Sequence, residues 1–390
     1  MTALVDVAAL LACLGLLQCL AGLIAVSRFA ARPTPAPAER PPVSVLKPLC
    51  GDEPLLEEAL ASCCSQTYPA FQIVFGIQDP SDPALAVVRR LQDRFPELDI
   101  AVVVDATPHG MNRKVANLIN MLPSARHDIL LVSDSDLHVA PDYLERLVAA
   151  LEKPGTGLVT SLCVGLPAPP RWPARLGAAY ISYGFLPGVL LSRALGRQDC
   201  LGSTVMLRRA VLERTGGLQS LVHLLAEDNV LGQRVCDFGL SVRLADTVPA
   251  ATVPEPSLRA LWLHEIRWVR TIRALAPLSL GASTIQYPLF WAAMTYLLSG
   301  GALWSLALFA GSWAVRAAAA VGIDRALRRK VSRVALAAPV WLLPLRDILS
   351  VVEIAASYWV DDVVWRGHRM GANSSTSQPE RPSVGRSASK

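Results

Sequence analysis

Two aspartates one residue apart, Asp134 and Asp136, follow the apolar segment 129–132. A segment that is apolar on both faces is typical of a buried strand in a parallel sheet. The carboxylates then lie at the C-terminal end of that strand, where open α/β sheets bind their ligands. Two carboxylates at this spacing can reach one hard divalent cation, which holds a diphosphate by bridging its oxygens. The alternative interpretation is a polar strand end followed by a helix cap.

Two other segments carry side chains that could bind a nucleotide or its phosphates. Asp79 follows the apolar segment 71–77 and could hydrogen-bond a ribose or a uracil, although Asp-Pro-Ser-Asp-Pro is also a good turn sequence. Lys114 lies near the start of a predicted helix, after Gly110 and Asn112, where a lysine can meet a phosphate.

A second pair of acids, Glu227 and Asp228, precedes a segment with helical apolar spacing. A carboxylate there could act as a general base on a hydroxyl group, or the pair could simply be acids at a helix N-terminus. Farther along, His264-Glu-Ile-Arg267-Trp268 lies on a predicted helix rich in tryptophan and arginine, which favours an amphipathic interfacial helix. Arg267 could also bind a diphosphate, and Trp268 could stack on an acceptor.

The elements that must position these residues alternate between strand and helix. This order predicts an α/β fold whose mostly parallel sheet has helices on both faces. Repeated right-handed crossovers would then place Asp79 and Asp134 at the same edge of the sheet. The predicted strands are 43–47, 71–77, 100–104, 129–132 and 158–164, and the predicted helices are 55–65, 83–95, 115–121 and 143–151.

Composition indicates a mixed protein with one globular domain and membrane segments. The 390 residues are 52% hydrophobic with a mean hydropathy of +0.37, too apolar for an ordinary soluble enzyme, and 18% are charged. Much of the net charge of +5 lies beside apolar segments, which favours a membrane surface over nucleic acid as the partner. The eight cysteines include no C-x-x-C pair and no cluster with zinc spacing. Their scattered positions without apparent pairing are typical of a reducing compartment.

The apolar segments predict how the chain meets the membrane. Basic residues after the first apolar segment place the α/β domain in the cytoplasm by the positive-inside rule. Arg316, near the end of a predicted membrane helix, is expected to snorkel to the surface. Arg346, Asp347 and Glu353 either line a lipid-entry cavity or pack as a charged network. The predicted segments are an N-terminal transmembrane anchor (1–27), a Pro/Ala linker (28–42), the α/β domain (43–260), an interfacial amphipathic helix (261–277), a transmembrane hairpin (278–323), a basic cytoplasmic loop (324–334), a re-entrant or transmembrane segment (335–362) and a disordered basic tail (363–390).

In this order, the motifs resemble those of family-2-type GT-A glycosyltransferases. Within that class, the chain most resembles the ceramide glucosyltransferase family, from about residue 44 to about residue 350. The segments that carry the resemblance are Lys47-Pro-Leu-Cys-Gly51, Gln78-Asp79, Gly110-x-Asn112-x-Lys114-x-x-Asn117, Asp134-x-Asp136 and Leu343-Pro-Leu-Arg346-Asp347.

The resemblance implies a Rossmann-like GT-A fold and a role for each matching residue. Asp79 would bind the nucleotide, Asp134 and Asp136 the metal and diphosphate, and Asp228 would be the catalytic base. Arg267 and Trp268 match the (Q/R)xxRW motif, but His264 stands where that motif has Gln or Arg. A partly protonated histidine could still meet a phosphate.

The same resemblance implies a divalent cation, Mg²⁺ or Mn²⁺, a UDP-sugar donor and a lipid acceptor, with no nucleic acid as partner. The complete D-x-D implies a bacterial member, and its leading candidate is the hopanoid-biosynthesis branch, which transfers N-acetylglucosamine to bacteriohopanetetrol. Such an enzyme would be a multi-pass protein of the bacterial inner membrane. The alternatives are a bacterial ceramide or diacylglycerol glucosyltransferase that uses UDP-glucose, and a non-catalytic membrane scaffold that binds lipid.

Overall fold

The computed structural model describes residues 2–34, 36–331, 340–359, 362–365 and 368–371. The strands are β1 (Val43–Leu49), β2 (Phe71–Ile77), β3 (Asp99–Val104), β4 (Ile129–Ser133), β5 (Leu137–His138), β6 (Thr156–Thr160), β7 (Val164–Pro167), β8 (Thr204–Arg208), β9 (Ser241–Leu244), β10 (Ala250–Val253), β11 (Asp362–Trp365) and β12 (His368–Gly371). The helices are α1 (Thr2–Ala30), α2 (Leu56–Cys64), α3 (Ala84–Arg94), α4 (Arg113–Met121), α5 (Tyr143–Leu151), α6 (Trp172–Tyr180), α7 (Leu186–Ala194), α8 (Arg209–Arg214), α9 (Glu227–Asp237), α10 (Leu258–Leu275), α11 (Pro277–Ala282), α12 (Pro288–Leu298), α13 (Leu303–Leu327) and α14 (Leu343–Ser357).

A seven-stranded sheet with the order β3-β2-β1-β4-β8-β6-β9 forms the centre of the α/β domain. Its pairs are parallel except those of β8, which runs antiparallel to both of its neighbours. Helices α2, α3 and α5 pack on one face and α4 and α9 on the other, so apolar cores lie on both sides of the sheet. This arrangement confirms the predicted α/β class with a mostly parallel sheet.

The predicted strand 158–164 is two strands that belong to different sheets. β6 ends at Thr160 in the large sheet, and β7 then pairs in parallel with β10 in a three-stranded sheet of order β5-β10-β7. At the start of β7, the Val164 amide donates to the Pro249 carbonyl oxygen (3.0 Å), next to the β7–β10 pairing.

A helical segment from Trp172 to Ala194 was absent from the sequence prediction. It consists of α6, one π-helical turn (Ile181–Phe185) and α7. Leu186 and Tyr183 of this segment pack in one buried cluster with Val26 and Phe29 of α1. The segment therefore joins the α/β domain to the N-terminal helix.

Among the described residues, two helices, α1 and α13, are long and apolar enough to cross a membrane. The first arm of the predicted hairpin is not one continuous helix, because Pro277 and Pro288 each start a new helix and split it into α11, a 3₁₀ turn and α12. α12 has 11 residues, a length of about 16 Å, which is shorter than a hydrocarbon core. The turn to α13 uses Gly300 and Gly301, both in the left-handed region with φ of 66° and 80°.

Two basic residues near the apolar helices are buried. Arg316 does not snorkel as predicted: its guanidinium is buried, donates to the Tyr183 carbonyl oxygen (2.9 Å) and pairs with Asp347 (3.4 Å). Lys330, in the predicted basic loop, is also buried, where it pairs with Asp246 and donates to the Arg32 carbonyl oxygen (2.9 Å).

The C-terminal predictions can be compared with the structure only in part. α14 has 15 residues, about 22 Å, and is too short to span a membrane alone. β11 and β12 pair antiparallel, so the predicted disorder from residue 363 is wrong for this hairpin. Residues 332–339 of the predicted basic loop and re-entrant segment, and residues 372–390 of the predicted tail, lie outside the described residues.

Candidate functional site

The carboxyl ends of three parallel strands meet at one edge of the large sheet. β1 pairs in parallel with β2 on one side and with β4 on the other, with Leu49 opposite Ile77 and Leu46 opposite Val132. Asp79 and Asp134 follow β2 and β4, so they lie at the same edge, as the strand order predicts.

Lys114 is the centre of the charged residues at this edge. Its Nζ lies 2.6 Å from Asp134 Oδ1 and 4.0 Å from Glu227 Oε1, and it donates to the Gly202 carbonyl oxygen (3.2 Å). Burial disfavours the charged ammonium, but Asp134 and Glu227 more than offset this effect, so the pKa of Lys114 is raised. The lysine therefore stays cationic between two acids from separate parts of the chain.

Asn112 positions Lys114 and joins two helix N-termini. Its Oδ1 accepts from the Val115 amide (3.1 Å) and caps α4, while its Nδ2 donates to Glu227 Oε2 (3.0 Å) and to the Leu224 carbonyl oxygen (2.9 Å). Gly110 packs closely here, because an added Cβ would lie 2.8 Å from His223 Cε1. Gly110 and Asn112 thus bring α4 and α9 together.

Glu227 and Asp228 lie in the first turn of α9, where both the general-base and the helix-terminus interpretations place them. Burial raises the pKa of Glu227 to about 7, against the effect of Lys114, and burial also raises the pKa of Asp228. Asp228 Oδ1 accepts from the Asn229 amide (2.8 Å). Its Oδ2 faces Gly202, where an added Cβ would lie only 2.5 Å away. Glycine at 202 therefore makes room for the carboxylate.

Asp136 is the more enclosed of the D-x-D acids. Its pKa is raised to about 7 by burial first, and then by the charges of Asp134 and Glu53. Lys47 offsets part of this repulsion, because its Nζ is buried and donates to the Asp134 carbonyl oxygen (2.8 Å) and to Ser133 Oγ (3.1 Å).

The oxygen donors of Asp134 and Asp136 fit a hard divalent cation, which would relieve the repulsion between these acids. Within the described part of the chain, no group of three or more His, Cys, Asp or Glu side chains is arranged to hold a metal. A cation here would therefore take its remaining ligands from phosphate oxygens or water, the usual arrangement for Mg²⁺ beside a nucleotide.

Asp79 is exposed in the turn after β2. Its Oδ1 accepts from the Ser81 amide (2.8 Å) and from Ser81 Oγ (2.6 Å), and these bonds hold the pKa of Asp79 below its usual value. The positive charge of Arg113, the first residue of α4, acts in the same direction. Asp79 is thus a turn residue that also faces the solvent at the edge of the sheet.

His264, Arg267 and Trp268 lie on α10. His264 Nδ1 pairs with the buried Glu255, and its ring packs edge-on against Trp268, with 4.4 Å between centroids. Trp268 and Cys163 pack against one small buried cluster of Ala174, Ala178, Ile181 and Val253.

Cys163 connects this cluster with the D-x-D acids. Burial and the charges of Asp136 and Asp134 raise the pKa of the Cys163 thiol to about 12. Trp268 therefore lies beside the apolar layer that adjoins the acids, and the half-buried Arg267 precedes it on the same helix.

The sequence analysis assigned no site role to Lys47, Glu53, Cys163 or Gly202. A lysine inside the otherwise apolar strand β1 is a usable signal, since burying an ammonium is costly without a partner. The position of Gly202 against Asp228 has no comparable signal, because the two residues meet only in the fold.

The fold and the site together define a GT-A-like α/β domain with acids at its sheet edge. The solved mannosyltransferase PcManGT from Pyrobaculum calidifontis, in complex with GDP-Man and Mn²⁺, shows the same fold with a TM-score of 0.53 and 21% identity, over 91% of this chain and 99% of that one. The model of "Glycosyl transferase family 21" matches residues 6–377. The chain belongs to glycosyl transferase family 21.

Curated relatives include ceramide glucosyltransferases from animals and fungi. Ceramide glucosyltransferase 1 of Caenorhabditis elegans is 25% identical over 244 residues, which are 61% of this chain and 51% of that protein. The Komagataella phaffii ceramide glucosyltransferase is 30% identical over 133 residues, which are 33% of this chain and 26% of that one. The chain therefore matches about half the length of the nematode relative.

Proposed function

We propose that the chain is a membrane-associated, inverting glycosyltransferase that moves a sugar from a UDP-sugar to the hydroxyl group of a lipid. The observation that carries the proposal is the meeting of Lys114, Asp134, Glu227 and Asp228 at the carboxyl edge of a GT-A-like sheet. Membership of family 21 and two helices of membrane-crossing length support it.

On the donor side, Asp134 and Asp136 would hold a divalent cation, Mg²⁺ or Mn²⁺, which neutralises charge on the diphosphate when bound. Lys114 and Arg267 add positive charge, and Asp79 binds the nucleoside from the adjacent strand end. Asp134 and Lys114 are only partly buried, so their ion pair can exchange for contacts to the donor. The Mn²⁺ complex of the Pyrobaculum calidifontis mannosyltransferase supports the choice of cation.

On the acceptor side, Asp228 is the general base. The acceptor oxygen forms a bond to the anomeric carbon while the bond from that carbon to the diphosphate oxygen breaks, and the hydroxyl proton passes to Asp228. Burial raises the pKa of Asp228, which makes the carboxylate a stronger base. Trp268 offers an aromatic surface on which the acceptor stacks, and attack from the opposite face inverts the anomeric carbon.

The names of the curated relatives support glucose as the sugar and a sphingolipid as the acceptor. The second candidate is transfer of N-acetylglucosamine to bacteriohopanetetrol. The complete D-x-D, Asp134 and Asp136, is the observation that favours it. In both cases we place the α/β domain on the cytoplasmic side of a bacterial inner membrane, because arginines follow the first apolar segment.

The detergent-solubilised chain should be offered UDP-glucose and UDP-N-acetylglucosamine, each with ceramide and with bacteriohopanetetrol, and the product identified by mass. Asp228→Asn should abolish transfer and leave UDP binding largely intact. Asp237→Asn, at the exposed C-terminal end of the same helix, is the matched control and should remain active. Normal turnover by Asp228→Asn would exclude this residue as the base. Lipid binding without transfer or hydrolysis in any pairing would instead favour a scaffold.

A further inference from the structure

Arg346 of α14 is at the centre of a buried ionic cluster outside the carboxylate site. Its Nη1 donates to both Glu265 oxygens (3.0 and 2.7 Å), its Nη2 to Glu353 Oε2 (2.8 Å) and its Nε to Ser350 Oγ (3.1 Å). The guanidinium also lies over the ring of Tyr180, 5.4 Å from the centroid. The side chains of Arg346, Glu265 and Glu353 are only 1 to 3% exposed.

Glu265 links this cluster to the proposed acceptor side. It lies on α10 between His264 and Arg267, and it belongs to the buried face of that helix with Leu261 and Val269. Successive helical residues differ in direction by about 100°, so fixing Glu265 also fixes where Arg267 and Trp268 point. A rotation or a slide of α10 would move both residues together.

The chemistry of the cluster suits such a positioning role better than a role in stability. A buried ion pair loses so much hydration that replacing it with well-packed apolar residues often leaves the stability of the protein unchanged. The planar guanidinium of Arg346 bonds to Glu265 and Glu353 through different nitrogens, and this fixed arrangement of donors adds geometric specificity that apolar contacts lack. The Tyr180 ring stacks on the same guanidinium from α6, so three helices share one rigid contact.

A second buried ion pair, which also involves a residue of α14, provides a matched comparison. Arg316 of α13 bonds to Asp347, the residue after Arg346, and to the Tyr183 carbonyl oxygen. These contacts hold α14 against α13 and the π-helical turn, whereas those of Arg346 hold it against α10.

We propose that Arg346 is a positioning residue: through Glu265 it fixes the rotation and register of α10, and so sets Arg267 beside the donor diphosphate and Trp268 beside the acceptor. This inference rests on the proposed function for the effect on turnover. The geometric part, the restraint of α10, stands without it.

The test compares Arg346→Lys with Arg316→Lys in the detergent-solubilised full chain. Lysine keeps the charge but loses the fixed arrangement of donors. Arg346→Lys should lower kcat by about 10²-fold, the scale expected from a displacement of roughly 1 Å. Its affinity for UDP should fall by less than its kcat, because Arg267 is the proposed donor residue on α10, while Asp134, Asp136 and Lys114 lie on other elements. Arg316→Lys should keep its kcat, even if both variants lose similar thermal stability.

Hydrogen exchange along α10 gives a readout that does not depend on turnover. Arg346→Lys should speed exchange of the α10 amides, and Arg316→Lys should leave them unchanged. Arg346→Glu combined with Glu265→Arg restores the charges of the cluster and should recover part of the α10 protection. Equal losses of turnover and equal exchange in the two lysine variants would overturn the inference. A wild-type chain that transfers no sugar would refute the proposed function instead, and the α10 exchange would still decide the role of Arg346.

Discussion

Two of the sites at which the described structure places a cation between two carboxylates differ in their exposure. At the sheet edge, Lys114 lies between Asp134 and Glu227, with side chains that are 22, 34 and 18% exposed. In the membrane-proximal helices, Arg346 lies between Glu265 and Glu353, which are almost completely enclosed. The charge pattern is the same, but only the first site can exchange a protein partner for a ligand.

Solvent access explains this difference. Water and salt screen partly exposed pairs, so breaking one to admit a phosphate costs little. In the enclosed cluster, removal of Arg346 leaves a buried carboxylate without solvent or a cationic partner, and that cost is large. We therefore assign ligand exchange to Lys114 and fixed geometry to Arg346.

The largest expected effect is the loss of the enclosed cation. Arg346→Met should destabilise the protein by about 3–5 kcal/mol, because it leaves two acids buried beside each other. Thermal or urea unfolding in detergent measures this loss. Arg90→Met, which breaks the exposed pair with Glu57, is the control and should cost no more than about 1 kcal/mol. Similar stabilities for the two variants would show that solvent reaches the Arg346 cluster.

The enclosed cluster also shows the limit of sequence analysis. Arg346 and Glu353 are close in the chain, and the sequence left open whether they line a cavity or form a network. The structure shows a network, and its main acid is Glu265, 81 residues away in the chain. Asp347, which looks like the natural partner of Arg346, pairs with Arg316 instead. Such pairings depend on helix packing, which local patterns do not encode.

For the fold, the sequence predicted elements wherever apolar periodicity was strong. Strand β2 and helix α5 have the predicted bounds, and the D-x-D lies where the strand order indicated. The α6–α7 segment was missed because its glycines, alanines and prolines give no clear amphipathic period. At the site, Lys114 and Asp134 were predicted separately, but their contact depends on how α4 packs on β1 and β2.

The next largest effect tests the partly exposed site around Lys114. Lys114→Met should lower kcat/KM by about 10²-fold, because one cationic donor to the diphosphate is lost. Its stability should change by no more than about 1 kcal/mol, since Asp134 and Glu227 can recover water. Initial rates with UDP binding and unfolding measure both quantities. Lys153→Met, an exposed lysine after α5, is the control. A large loss of stability with unchanged affinity for UDP would remove the distinction between the two sites.

A smaller effect is expected at Gly202, where an added side chain would collide with Asp228. Gly202→Ala would place a Cβ 2.5 Å from Asp228 Oδ2 and push the carboxylate away. We expect kcat to fall about tenfold, equivalent to about 1.4 kcal/mol in the barrier. The affinity for UDP should be unchanged. Gly196→Ala is a poor control because that residue has a positive φ, whereas Gly311→Ala meets open space and should be neutral. Full activity of Gly202→Ala would mean that the position of Asp228 is not critical.

The smallest effect concerns the charge balance of the enclosed cluster. One guanidinium faces two carboxyl groups that lie within hydrogen-bonding reach of each other, so a single shared proton makes the cluster neutral. Glu265 takes two guanidinium bonds and Glu353 only one, and no described residue donates to the buried Glu353 Oε1. We therefore expect the shared proton on Glu353. Glu353→Gln should cost less than about 1 kcal/mol, because an amide can accept from Arg346 and donate to Glu265, while Glu265→Gln should cost about 1.5–3 kcal/mol by losing the charged partner. Unfolding midpoints of the two variants compare these costs, and a loss for Glu353→Gln as large as that for Glu265→Gln would show that both acids are ionised.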